Sequence, residues 1–129
     1  MSLTVPTSLL EQAEAGDIRP DDFLQCIKDS LPYAWQLIEG LVGRLNSSTG
    51  SFVDNKVPPP DEQARGQLLR VLASDAMRTT LERYYGIKLA FQNCHRVAVF
   101  RKEQLDSTYQ EFISPRSQIL NQTPELRDC

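Results

Sequence analysis

A run of apolar residues at helical spacing between Pro32 and Asn46 constrains the fold of this chain more than any other feature. Proline suits the first turn of a helix, because its missing N–H would have no partner there. The apolar positions cover more than half of a helix circumference, and they are Ala34, Trp35, Leu37, Ile38, Leu41, Val42 and Leu45. Such a helix is typical of a protein interior. We therefore predict a central buried helix from Tyr33 to Leu45.

Two glycines, Gly40 and Gly43, lie inside this predicted helix. Each costs about 1 kcal/mol relative to alanine in a helix interior. We expect the close approach of a neighbouring helix to compensate for that cost.

Further helices are predicted on both sides of the central one. A short helix over 8–15 ends at Gly16, and a second begins at Pro20 with two acids in its first turn. After the central helix, Asp61 and Glu62 begin another helical segment. It bends near Ser74, where the apolar phase shifts, and it ends at Gly86.

The segment 87–101 has two interpretations. Ile87, Leu89 and Phe91 alternate, as do Val97 and Val99, which predicts a β-hairpin. The apolar positions from Phe91 onward also fit a helical stripe. A two-stranded hairpin alone is marginally stable, and the preceding segments are helical. We therefore favour a mainly α fold, a small helical domain of about five helices, with α+β and one hairpin at 87–101 as the alternative.

The length of 129 residues is that expected of one domain. We expect a single helical domain with a frayed arm at 1–7 and a loose tail at 123–129. The segment 46–60 is rich in serine, glycine and proline, and we interpret it as a loop.

Composition and cysteine usage favour a cytoplasmic protein without a membrane segment. The longest apolar run is far shorter than the roughly 18 residues that span a bilayer. The N-terminus has no basic segment followed by an apolar one, so we expect no secretory signal. The three cysteines are widely spaced, and we expect them to be reduced.

No residue pattern for catalysis, a metal or a cofactor stands out. The chain has one histidine, and no cluster of acids or cysteines has ligand spacing. Cys94 and His95 are adjacent, but neighbouring side chains diverge on a helix and on a strand, so they form no catalytic dyad. We expect a small buried thiol beside a partly exposed histidine. We also expect no enzyme activity, cofactor or metal site.

Positive charge is concentrated between Arg65 and Lys102. This stretch holds eight of the fourteen basic residues but only two acids, in a chain whose net charge is −3. It also contains several aromatic side chains. Arginine and tyrosine are enriched at the centres of protein interfaces.

This pattern predicts a non-catalytic protein-interaction module, such as an adaptor, an assembly factor or a regulatory partner. We expect it to bind an acidic or extended segment of another protein, and a homodimer is a further possibility. The predicted partner-binding residues are Arg78, Arg83, Tyr84, Tyr85, Gln92, His95, Arg96 and Arg101.

The alternative function is a helix-turn-helix-like DNA-binding regulator that uses 81–102. Residues 90–102 would then form a recognition helix that presents base-reading side chains. A sequence pI near 5.1 disfavours binding driven by phosphate charge, so nucleic acid is the less favoured partner.

Overall fold

Seven α-helices and a three-stranded antiparallel sheet make up the part of the chain that the structure describes, residues 2–92 and 95–121. The structure is a computed structural model. In chain order the elements are α1 (Thr7–Ala15), α2 (Pro20–Ser30), α3 (Pro32–Asn46), β1 (Phe52–Asn55), α4 (Glu62–Leu72), α5 (Asp75–Tyr85), β2 (Ile87–Gln92), β3 (Arg96–Arg101), α6 (Ser107–Phe112) and α7 (Pro115–Leu120). One turn of 3-10 helix, Lys102–Gln104, links β3 to the segment before α6.

The predicted helical character is confirmed, although about five helices was too few. The central helix α3 is buried along one side, as its apolar positions predicted. The helical segment after Asp61 is two helices, because Ser74 caps α5 by accepting a hydrogen bond from the Met77 N–H. Two short helices, α6 and α7, follow the sheet.

The preference for a helix over 87–101 was wrong, and the hairpin alternative is the one observed. β2 and β3 pair antiparallel with Leu89 opposite Val99. The hairpin is not isolated, because β1 pairs with the other edge of β3, with Val53 opposite Val99. A third strand with a covered face gives the stability that two strands lack. The order in the sheet is β1-β3-β2.

The third strand comes from 46–60, which was predicted to be a loop throughout. The prolines, at 58–60, lie outside the strand. The arm also differs from the prediction, because Thr7 already belongs to α1 and the Thr4 N–H donates to Ser30 Oγ at 2.9 Å. The predicted tail at 123–129 lies outside the described residues.

The sheet separates two apolar clusters. On one face, Leu89, Val97 and Val99 belong to the main core with residues of α2 to α5. On the other face, Ala98 and Phe100 pack with Phe112 of α6. Alternation of side chains along each strand produces this division.

Neither glycine of α3 is explained by close helix packing. A Cβ atom added at Gly40 or Gly43 would meet nothing within 4 Å, and both residues are exposed. The expected compensation is therefore wrong. Among the described residues, no helix has the length and apolar character needed to cross a membrane.

Candidate partner-binding surface

The eight residues predicted to bind a partner do not form one surface. Arg83 and Tyr84, at the end of α5, are exposed, and Tyr84 is 57% exposed. Gln92 and His95 are buried, each 2% exposed. The remaining four residues, Arg78, Tyr85, Arg96 and Arg101, lie between these extremes.

Arg96 is held inside the protein by three interactions. Its Nε donates to Asp54 Oδ2 at 2.8 Å, and one of its terminal nitrogens donates to Gln92 Oε1 at 2.9 Å. The guanidinium carbon lies 4.9 Å from the centre of the Phe112 ring, a cation–π distance. These contacts connect β3 to β1, β2 and α6, which is a structural role.

Gln92 extends the same polar network towards α7. Its amide nitrogen donates to the Ser117 hydroxyl at 2.7 Å and to the Phe112 carbonyl. Its amide oxygen accepts a hydrogen bond from Asn121 at 3.0 Å. A buried amide with these partners fixes the C-terminal helices on the sheet and is unavailable to another molecule.

Arg101 and Arg78 both donate to backbone carbonyls. Arg101 donates to the carbonyls of Leu45 at 2.6 Å, Ser48 at 2.8 Å and Gly50 at 3.0 Å. Arg78 pairs with Asp75 at 2.6 Å and donates to the Leu72 carbonyl at 3.1 Å. Both arginines thus secure segment ends in this fold.

The expectation of a partly exposed His95 was wrong. The ring is buried where the β2–β3 hairpin meets Lys56, whose backbone forms a hydrogen bond with it. Burial lowers the pKa of His95 below its ordinary value of 6.5, and the nearby positive charge of Arg65 lowers it further. The neighbouring Cys94 lies outside the described residues.

Tyr84 and Tyr85 form an aromatic cluster with Trp35 of α3. Their ring centroids lie 6.1 Å and 6.0 Å from that of Trp35, and 4.8 Å from each other. Both the Trp35 indole N–H and the Tyr85 hydroxyl donate to Glu39 Oε2. Burial and the Glu39 carboxylate raise the pKa of Tyr85 far above its ordinary range, which keeps this hydroxyl protonated.

A groove between α2 and α5 lies next to this cluster. It consists of two adjoining cavities of about 320 Å³ and 440 Å³ that share Asp21, Leu24 and Tyr84. Ile18 and Arg83 line the larger cavity, and Lys28 and Trp35 line the smaller one. We name this the Tyr84 groove. The side chains that define it are Ile18, Lys28, Trp35, Arg83 and Tyr84.

The walls of the Tyr84 groove carry both charged and apolar side chains. The Lys28 ammonium lies 5.9 Å from the Trp35 ring centroid. Arg83 forms no salt bridge with any residue in the described ranges. Ile18 is 48% exposed in the turn between α1 and α2. The groove therefore combines exposed apolar surface with two cations and one acid, Asp21.

Sequence reasoning missed Ile18, Lys28 and Glu39 at this site. Ile18 could have been found from the sequence, because it lies between Gly16 and Pro20, which both indicate an exposed turn. Glu39 follows Trp35 by four residues, which places both on one side of the helix. Lys28 gave no signal, because its position beside Trp35 depends on how α2 packs against α3.

Within residues 2–92 and 95–121, no cluster of three or more histidine, cysteine or acidic side chains is placed to hold a metal ion. Tyr85, next to the groove, has a raised pKa, and its hydroxyl donates to Glu39.

The fold and the groove define a small helix-rich domain with a three-stranded antiparallel sheet and an exposed cleft between two helices. A family model described as "NucS shadow ORF" matches residues 1–129. The chain belongs to this NucS shadow ORF family. No curated protein and no solved structure matches the chain significantly.

Proposed function

We propose that this protein is a non-catalytic interaction module, an adaptor or assembly factor that binds a segment of another protein in the Tyr84 groove. The observation that carries the proposal is the exposure of Tyr84. More than half of its surface, 57%, is open to solvent beside a cavity of about 440 Å³. Tyrosine, tryptophan and arginine in such a position are the residue types that dominate binding energy.

The aromatic cluster holds Tyr84 ready for a partner. Trp35 and Tyr85 pack against its ring, while Glu39 fixes both of these neighbours through hydrogen bonds. A side chain that is already positioned loses little conformational entropy on binding. Burying its exposed part would contribute free energy at about 25 cal/mol per Å² of apolar surface.

The charges of the groove favour an occupant with an acidic side chain beside an apolar one. Arg83 and Lys28 contribute two positive charges against the single negative charge of Asp21. An apolar side chain fits between Ile18, Leu24 and Tyr84, and a carboxylate next to it would pair with Arg83. This occupant matches the acidic segment that the sequence predicts.

The DNA-binding alternative is less favoured than the proposed function. Within the segment proposed as a recognition helix, the described residues 90–92 belong to β2 and 96–101 to β3. Gln92, Arg96 and Arg101, which would read bases or bind phosphates, are engaged in contacts inside the protein. The net charge of −3 gives no general attraction for DNA.

Partner capture with charge-matched variants tests the proposal. Wild-type protein, Arg83→Glu and Arg70→Glu are each immobilised and exposed to lysate of the source organism, and the retained proteins are identified by mass spectrometry. Arg70 is an exposed arginine of α4 outside the groove, so it controls for charge reversal alone. We expect one protein to be retained by wild type and Arg70→Glu and lost with Arg83→Glu. Equal retention by all three would contradict the proposal.

A further inference from the structure

Within the described residues, no strand pairs with the backbone groups at the outer edge of β2. β2 is an edge strand, because the order in the sheet is β1-β3-β2. The Leu89 N–H donates to Glu82 Oε2 at 2.9 Å instead of to β3, so Leu89 directs its backbone groups away from the sheet. In an antiparallel strand every second residue does the same. Phe91 therefore points its N–H and carbonyl outward as well.

This edge lies in a slot between the two helical layers. The slot has a volume of about 370 Å³, and Leu72 and Arg78 line it on the α4–α5 side. Tyr109 and Ile113 line it on the α6 side, and Lys88 and Phe91 belong to β2 itself. Ile113 is 50% exposed. We name this cavity the β2 slot.

We propose that the β2 slot binds an extended, acidic segment of a partner protein as a fourth strand of the sheet. The backbone of such a segment offers the donors and acceptors that complement Phe91 and the Leu89 carbonyl. Its side chains would alternate between the layer containing Leu72 and Arg78 and the layer containing Tyr109 and Ile113.

The two cations of the slot favour an acidic segment over a basic one, although each already pairs with a neighbouring acid. Its lining includes two cations, Arg78 and Lys88, and no acid. Their own partners, Asp75 and Glu82, lie outside the lining. A carboxylate on the added strand would extend these two pairs into a network.

Glu82 restricts where the added strand pairs. Its carboxylate occupies the Leu89 N–H and pairs with Lys88 at 3.3 Å, so the Leu89 donor is unavailable to another chain. Charged side chains that cover part of a strand edge are a common protection against unlimited association. The added strand is therefore expected to pair at the Phe91 end of β2.

The β2 slot is distinct from the Tyr84 groove. Arg78 lines the slot, whereas Thr80, Arg83 and Tyr84 of the same helix line the groove. The proposal goes beyond the proposed function, since it assigns a second site with recognition through the backbone.

A displayed library of random 12-residue peptides provides the probe. Peptides are selected against the whole protein, and the tightest one is measured against wild type, Ile113→Asp and Ile119→Asp. Both isoleucines are exposed. Ile113 lies between α6 and α7 and lines the slot, whereas Ile119 lies on α7 and does not line it. Because an aspartate would remove apolar contact and repel an acidic peptide, Ile113→Asp should weaken binding by about tenfold or more. Ile119→Asp should bind as wild type does.

Hydrogen exchange at the Phe91 amide reports directly on pairing with an added strand, so it separates binding from a general effect of a variant on the structure. We expect this amide to exchange rapidly in the free protein and slowly with the selected peptide bound. A library that yields no binder, a peptide that leaves Phe91 exchange unchanged, or equal effects of the two variants would overturn the proposal. Protection of Phe91 that depends on protein concentration without peptide would also overturn it, since a second copy would then be the occupant. A selected peptide that protects the Tyr84 groove instead would overturn the slot and leave the proposed function standing.

Discussion

Arg96 Nε lies 2.8 Å from Asp54 Oδ2, and this ion pair joins the central strand β3 to the edge strand β1. The side chains are only 16% and 19% exposed. Arg83, an arginine of the same basic stretch, is exposed at the end of α5 instead. Arg83 and Arg96 are thirteen positions apart in the chain, yet Arg96 stabilises the fold and Arg83 lies on the candidate surface.

Replacing Arg96 with methionine should destabilise the protein by about 3 kcal/mol, because Asp54 would lose its partner in a mostly buried position. Arg83→Met is the matched control and should change the free energy of unfolding by less than about 0.5 kcal/mol. Urea denaturation of the two variants measures both values. Equal stability of the two would show that the Arg96–Asp54 pair contributes nothing.

Stability should fall as pH decreases below 6.5, because His95 is neutral in the fold. Burial and the positive charge of Arg65 lower the pKa of His95, so the unfolded chain binds a proton more readily than the folded one. The stabilisation is complete above the unfolded value of about 6.5. It is lost progressively as pH falls through the lower folded value.

Denaturation at pH 7.5 and pH 5.5 measures this effect, with His95→Gln as the control. The variant should be less dependent on pH over this interval, since it lacks the only histidine in the chain. The same dependence in both proteins would assign the effect to other groups.

Two glycine-to-alanine changes should have opposite effects on stability. Gly86 has φ +67, and an alanine there would cost about 1–2 kcal/mol because an L side chain disfavours this left-handed conformation. Gly40→Ala should stabilise by about 0.5–1 kcal/mol, since it lies exposed inside α3 with open space for a methyl group. Thermal denaturation of the two variants measures both effects. Melting temperatures that change in the same direction in both variants would refute the prediction.

Gln92→Leu should loosen α7 more than it perturbs the rest of the protein. The change leaves the Ser117 hydroxyl and the Phe112 carbonyl without the Gln92 amide, at a cost of about 2 kcal/mol. Hydrogen exchange of 115–120 should accelerate by a larger factor than that of α3. Gln110→Leu, at an exposed position of α6, should leave exchange unchanged. Uniform acceleration throughout the chain would point to general destabilisation instead.

The helices could be predicted because their signals are local. Pro32, Ser74 and Gly86 mark boundaries that the structure retains, and the apolar positions of α3 are those buried against the sheet and the neighbouring helices. The sheet could not be predicted in the same way. Its stability depends on β1, whose four residues pair with β3 more than forty positions away. A distant pairing partner leaves little trace in the local pattern of either segment.

The candidate surface was only partly predictable for a similar reason. Alternation along a strand decides whether Gln92 and Arg96 point into the protein, so the error in secondary structure became an error in exposure. Arg83 and Tyr84 lie on a correctly predicted helix and remain on the surface. Ile18 and Lys28 join them only through the packing of α2 against α5.

Photo-crosslinking from position 84 shows whether another protein binds in the Tyr84 groove. Benzoylphenylalanine replaces Tyr84 or, as a control, Ile119, which is 69% exposed on α7. After irradiation in cells of the source organism, adducts are identified by mass spectrometry. We expect one discrete adduct with another protein from position 84 that disappears with Arg83→Glu and is absent from position 119. No adduct from position 84, an adduct only with a second copy of this chain, or the same adducts from both positions would contradict it.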